Sequence, residues 1–114
     1  MANCLFCGII DGKIAAQVVY RDERVVAFKD INPQAPVHIL IIPRKHVAGV
    51  LDIAPEDNGL IGTIFEVAAR LARENGIADG GFRLVVNSGS DAGQSVFHLH
   101  FHLIGGRRMS WPPG

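Results

Sequence analysis

Long apolar runs, cysteines and any excess of one charge are all scarce in this sequence, and each scarcity removes a class of protein. No apolar run approaches the roughly 20 residues that a bilayer-spanning helix needs. Two cysteines in 114 residues cannot make a disulfide scaffold. Lys plus Arg and Asp plus Glu stand at 11 each, so there is no basic field to collect nucleic acid or an anionic membrane. Any anionic ligand must be small and caught locally. The chain opens without a basic segment followed by an apolar stretch, and the expectation is an intracellular, cytoplasmic protein. With 48% hydrophobic and 19% charged residues it reads as one globular domain over residues 1–114.

What the chain does have is one stretch of strict alternation, Gln94 to Ile104. Successive side chains of a β-strand point to opposite faces, so Phe97, Leu99, Phe101 and Leu103 form an apolar face, and His98, His100 and His102 form the other. Spaced about 6.5–7 Å apart along a strand, neighbouring imidazoles can reach one small substrate. A lone histidine is more often structural than functional. Three at period two point to metal binding or nucleophilic chemistry. The polar loop Asn87–Ser95, with two glycines, leads into this row. It reads as an ordinary hairpin loop or as a cradle in which backbone N–H groups and the Asn87, Gln94 and Ser95 side chains face an anion.

The other elements follow from periodicity. Phe6, Ile9 and Ile10 have helical spacing and Asp11-Gly12 ends the run, which predicts a short N-terminal helix. Residues 17–28 read as a hairpin around Asp22-Glu23. Val37–Ile42 is apolar on both faces and ends at Pro43, so it is expected as a central strand. Pro55-Glu56-Asp57 opens one long helix that ends near Glu74 before Asn75-Gly76. Its apolar stripe, with Leu60, Ile64, Val67 and Leu71 beside Ile61, Phe65, Ala68 and Ala72, is wider than one sheet face requires. Phe82–Asn87 is a fourth strand, paired with the histidine strand. The fold class is α+β, a five-stranded antiparallel sheet with one long helix.

Several residues carry two readings. Cys4-x-x-Cys7 fits half of a tetrahedral zinc site, or two free thiols, or a redox pair. His38, in an apolar strand, reads equally as a core histidine with satisfied nitrogens. Asp30 reads as a cap at a strand end, and Phe6, Ile9, Phe28 and Ile31 as core.

His98-Leu99-His100-Phe101-His102-Leu103-Ile104 resembles the signature of the histidine triad family, alternating histidine with hydrophobic residues. The resemblance runs from about Phe6 to the C-terminus, through Phe28–His38 and the ending Arg107–Gly114. That ending is similar to the nucleoside phosphoramidase branch, the histidine-triad nucleotide-binding proteins. The resemblance implies a homodimer with paired helices and a sheet continued across the interface. It implies that Asp30 accepts from the ribose hydroxyls, that Phe6, Ile9, Phe28 and Ile31 surround a purine, and that His38 supports the catalytic pair. It also implies that His46 and His98 complete a Cys2His2 zinc site with Cys4 and Cys7. Such a zinc would be structural, since four protein ligands leave no open position. No cofactor is expected for catalysis. Trp111 is implied at the active-site rim.

His100 is then the expected nucleophile, its second ring nitrogen donating to an acceptor, and the attacked atom is the α-phosphorus of a nucleotide. His102, Asn87, Gln94 and Ser95 are expected to hold phosphoryl oxygens or the leaving group, with His102 or a Ser95-centred relay protonating the amine. The sequence has no obvious carboxylate cluster for Mg²⁺. The expected reaction is hydrolysis of purine nucleoside 5′-phosphoramidates. A dinucleoside polyphosphate hydrolase, or a non-catalytic nucleotide- or zinc-binding module, are the alternatives. Ser110 and the Arg107-Arg108 pair depart from close relatives, so leaving-group preference does not carry over.

Overall fold

The computed structural model describes residues 4–114; residues 1–3, with which the expected domain begins, lie outside the described residues. The order of elements is α1 (Leu5–Ile10), β1 (Val18–Arg21), β2 (Val25–Lys29), β3 (Val37–Pro43), α2 (Asn58–Glu74), β4 (Phe82–Val86) and β5 (Phe101–Gly105). The strands form one antiparallel sheet in the order β1-β2-β3-β5-β4. This is the expected α+β class.

Local chemistry sets the turns. Asp22 closes the β1–β2 hairpin, its Oδ1 accepting from the N–H groups of Arg24 (2.7 Å) and Val25 (2.8 Å). A 3₁₀ turn at Pro55–Asp57 leads into α2, and Asp57 holds that entrance by accepting from Ala54 N (3.0 Å) and Lys45 Nζ (2.7 Å). The helix stops where Gly76 adopts φ 73°, a left-handed conformation that glycine takes without strain.

The strand β3 is apolar on both faces because both faces are covered. Val25, Ala27, Ile39 and Ile41 pack against Leu60, Ile64, Val67 and Leu71 of α2. Val26, Phe28, Leu40 and Ile42 pack against Phe6 and Ile9 of α1 on the opposite side. Burying one such Leu or Ile contributes about 1.5–3 kcal/mol, so the two clusters dominate the stability of the sheet. Of the second helical stripe only Ala68 and Ala72 are buried; Phe65 is 53% exposed.

The histidine stretch differs from expectation. Only Phe101–Gly105 is ladder, so of the three histidines His102 alone lies in a strand. The ladder with β3 ends at the pair Ile41–Phe101, two residues before Pro43. Proline has no N–H to extend it, and the Pro43 carbonyl instead accepts from the His98 imidazole. Leu99 N–H goes to Val47 O, and Phe97 is exposed while Leu99, Phe101 and Leu103 are buried. Two members of the row, His98 and His100, are buried.

Candidate active site

Hydrogen-bond partners fix the tautomer of each imidazole in the row, the ring hydrogens being assigned from those partners. His98 Nε2 donates to Pro43 O at 2.8 Å, which leaves Nδ1 with a bare lone pair. His100 Nδ1 donates to His98 O at 2.7 Å, which leaves its Nε2 bare. His38 Nδ1 accepts from Gln34 N at 3.0 Å, so its hydrogen sits on Nε2, and this donates to His102 Nδ1 at 2.9 Å. The hydrogen of His102 is thereby on Nε2. His100 and His102 stand with ring centroids 5.2 Å apart. The site thus pairs a nitrogen with a free lone pair and a neighbouring N–H donor.

Electrostatics favour the neutral form of three of these imidazoles, His102, His38 and His98. Burial, then the neighbouring His100 and His38, push the His102 pKa down to about 4 from 6.5. Burial likewise lowers His38, with Asp30 opposing it, and lowers His98, with the Pro43 carbonyl opposing it. A neutral imidazole keeps its lone pair at pH 7. That is the form a nucleophile or a metal ligand requires.

Asp30 follows β2 and lies beside His38, its Oδ2 3.4 Å from His38 Nε2, while Oδ1 accepts from Asn32 N at 2.8 Å. Asp30, His38 and His102 have potential ligand atoms within 4.8 Å of one another. His38 has no lone pair left for a cation there, since one nitrogen accepts from Gln34 and the other carries hydrogen. A recess of about 480 Å³ borders Asp30, His38 and Asn75 and reaches neither His100 nor His102.

The expected nucleoside wall divides. Phe6, Ile9 and Phe28 are buried together in the α1 cluster. The Phe6 ring meets Phe28 edge-on at 5.4 Å and His100 at 5.0 Å, so it serves the core and the imidazole at once. Ile31 is 99% exposed and lies apart from that cluster, bordering the recess beside Asp30 and His38.

The loop before the row is smaller as an anion cradle than expected. Gly89 and Gly93, with φ 85° and 86°, bend it back on itself. Three of its N–H groups are then spent inside it, Gly89 N on Gln94 Oε1, Gly93 N on Ser90 O and Gln94 N on Gly89 O. Gln94 departs from its expected role as a phosphate donor. It is buried, and its Nε2 donates to Ala48 O (2.9 Å) and Val96 O (3.2 Å), so it is a strut of the loop. Ser95 is exposed and Asn87 half-buried. Trp111 is 82% exposed, and the segment before it is pinned by Arg83 Nη2 on Ser110 O (2.6 Å) and Arg107 Nε on Gln34 O (2.9 Å).

Cys4, Cys7, His46 and His98 converge on one point, from α1, the segment after β3 and the segment before β5. Each offers one ligand atom, and the four lie within 4.8 Å of one another. His98 Nδ1 is 3.4 Å from Cys4 Sγ, 3.6 Å from Cys7 Sγ and 3.2 Å from His46 Nδ1, and Cys7 Sγ is 3.4 Å from His46 Nδ1. Bonds of about 2.3 Å to sulfur and 2.0–2.1 Å to nitrogen at tetrahedral angles give edges of about 3.3–3.4 Å for N···N and about 3.5–3.6 Å for S···N. The four atoms therefore fit the corners of a zinc tetrahedron. Burial and the adjacent Cys4 raise the Cys7 thiol, a preference that a coordinated cation reverses.

Pro43, Gln34 and Arg83 were not expected at the site. The first two act through backbone atoms, which no side-chain pattern reports.

An antiparallel α+β sheet that receives such an alternating histidine row at its end defines a recognised class of protein. The chain belongs to the HIT domain family, whose model matches residues 11–109. It is 50% identical over 112 residues to an uncharacterized HIT-like protein of Synechocystis sp., covering 98% of this chain and 97% of that one. It superposes with a TM-score of 0.97 on the crystal structure of a HIT family hydrolase from Legionella pneumophila Philadelphia 1, at 51% identity, covering 98% of this chain and 100% of that one. A histidine triad nucleotide-binding protein from Candida albicans gives a TM-score of 0.82 at 32% identity, covering 96% of this chain and 83% of that one.

Proposed function

We propose that the protein is a nucleotide hydrolase that cleaves the P–N bond of purine nucleoside 5′-phosphoramidates through a nucleotidyl-histidine intermediate. The observation that carries this reading is the bare Nε2 of His100, held by the 2.7 Å bond from Nδ1 to the His98 carbonyl. Its lone pair attacks the α-phosphorus, the P–N bond breaks, and the departing amine takes a proton. His102 Nε2–H is the nearest donor of the row, able to hold a phosphoryl oxygen or supply that proton. Water then attacks the phosphorus of the intermediate, releasing nucleoside monophosphate and returning His100. Asp30 is proposed to accept from the ribose diol, as an ionised carboxylate can from both hydroxyls. Asn87 and Ser95 are proposed as phosphoryl donors, and Phe6, Ile9 and Phe28 as the apolar side of the purine site.

Zinc is proposed at Cys4, Cys7, His46 and His98, where it would cross-link α1 to the β-sheet without joining the reaction. The protein is further proposed to be a cytoplasmic homodimer. Among the described residues no helix is long and apolar enough to cross a membrane.

The test compares AMP release from adenosine 5′-phosphoramidate and from diadenosine tetraphosphate, by the wild type and His100→Ala. Phosphoramidate turnover lost in the variant supports the reading. Preference for the tetraphosphate replaces it with a dinucleoside polyphosphate hydrolase, and turnover of neither with a nucleotide-binding module.

A further inference from the structure

His98 belongs to two constellations at once. Through Nδ1 it is a corner of the Cys4–Cys7–His46 tetrahedron, and through its carbonyl oxygen it receives the Nδ1–H of His100. The orientation of that carbonyl depends on how firmly residue 98 is held. Three attachments hold it. Its Nε2 donates to Pro43 O, the N–H of the next residue, Leu99, donates to Val47 O at 2.6 Å, and Nδ1 faces the two sulfurs and His46. A ring fixed only at Nε2 can still pivot about that bond; one fixed at both nitrogens cannot. Phe6 adds a second link, since it lies between the two cysteines in α1 and its ring meets His98 at 6.0 Å and His100 at 5.0 Å.

We propose that Cys4, Cys7 and His46 are positioning residues for the nucleophile: by holding His98 through a shared zinc ion they fix the carbonyl that selects the attacking tautomer of His100. The inference rests on the reading of His100 as nucleophile and gives the zinc site a part in catalysis without contact with substrate. Partners that orient a functional imidazole typically carry a 10- to 100-fold effect, so about that loss of kcat is expected when the clamp is opened. Asp30 lies outside the clamp, so KM should move much less than kcat.

The experiment uses the zinc-loaded protein, the same protein stripped with a chelator, and the stripped protein given zinc back. Metal content, 15N resonances of the His100 ring and phosphoramidate kinetics are read on each, at one pH. Expected are one equivalent of zinc in the loaded protein and a single Nδ1–H tautomer of His100. Stripping should mix the tautomers and lower kcat, and zinc should restore both. If stripping unfolds the chain, His46→Ala and His46→Cys decide, because the latter keeps a Cys3His ligand set. The cysteine variant should retain metal, tautomer and kcat, and the alanine variant should lose all three. An unchanged His100 tautomer in folded, metal-free protein overturns the proposal, as does purified protein that takes up no zinc. Because the tautomer is read without turnover, a zinc-dependent tautomer in a protein that hydrolyses no phosphoramidate would sink the proposed reaction and leave the clamp standing.

Discussion

The Nδ1 of His100 and the carbonyl oxygen of His98 are 2.7 Å apart, and this one contact decides which nitrogen of His100 can attack. A side chain that supplies the nucleophile should be irreplaceable in kcat and dispensable for folding. His100→Ala is expected to lower phosphoramidate turnover by ~10⁴-fold or more, the scale seen when a nucleophile is removed. Circular dichroism should show the native fold. Loss of the fold in this variant would mean that His100 is a core residue first.

Asp30 should act on binding rather than on chemistry. Asp30→Ala removes a charged acceptor, whose hydrogen bonds contribute about 1.5–3 kcal/mol. The expected result is KM for the phosphoramidate raised roughly 10- to 150-fold with kcat changed far less. A 2′,3′-dideoxy substrate, which lacks the diol, should be nearly indifferent to the substitution. Equal losses with both substrates would refute the ribose role.

Much of the fold was legible because hydrophobic period reports on covering layers. The doubly apolar strand at Val37–Ile42 and the proline-started helix appear as read, and Asp22 closes the hairpin as expected. The site was legible as a row of residue types but not as geometry. Alternation placed His98 and His100 in a strand, whereas Pro43 ends the ladder before reaching them. Gln94 looked like a free donor because nothing in its neighbours reveals that Ala48, 46 residues away, takes its hydrogen. Backbone acceptors such as the carbonyls of Pro43 and His98 leave no trace in composition.

The lowered pKa values of His102 and His38 make stability sensitive to acid. His102 has a folded-state pKa of about 4 against an ordinary 6.5. Below pH 6.5 the unfolded chain takes up a proton there that the folded chain refuses until about pH 4. Stability from this group is therefore complete above pH 6.5 and is lost as pH falls toward 4. His38, also lowered, adds in the same direction. Thermal unfolding followed from pH 7.5 to 4.5 should show a falling Tm, and His102→Gln should make that fall shallower. A slope identical in both proteins would show that His102 does not carry it.

As the strut of the loop, Gln94 should matter to stability before it matters to catalysis. Gln94→Ala deletes bonds to Gly89 N, Ala48 O and Val96 O. A fully buried group left unsatisfied costs about 1–3 kcal/mol, and these part-buried ones cost less where water enters. A loss of ~2 kcal/mol or more is expected in urea unfolding, together with faster amide exchange at Gly89. A variant of native stability with impaired kcat would restore Gln94 to the phosphate site.

Phe65 tests the proposed homodimer. It is 53% exposed on α2, its ring meets Phe101 at 5.9 Å, and Phe101 is the cross-strand partner of Val86 on β4. Val86 and Phe82 are themselves exposed, and β4 is an outer strand of the sheet, so helix and sheet edge together present one apolar surface beside unpaired backbone groups. A two-fold interface buries each of these residues twice. Full burial of one Phe contributes about 1.5–3 kcal/mol, and about half of each Phe65 is left to bury, so Phe65→Lys removes about 1.5–3 kcal/mol from the dimer over both copies, a weakening of roughly 10- to 150-fold in Kd. Sedimentation should then show the wild type as a dimer at micromolar concentration and the variant as a folded monomer. A monomeric wild type would refute the homodimer, and a variant that stays dimeric would place the interface on a different surface.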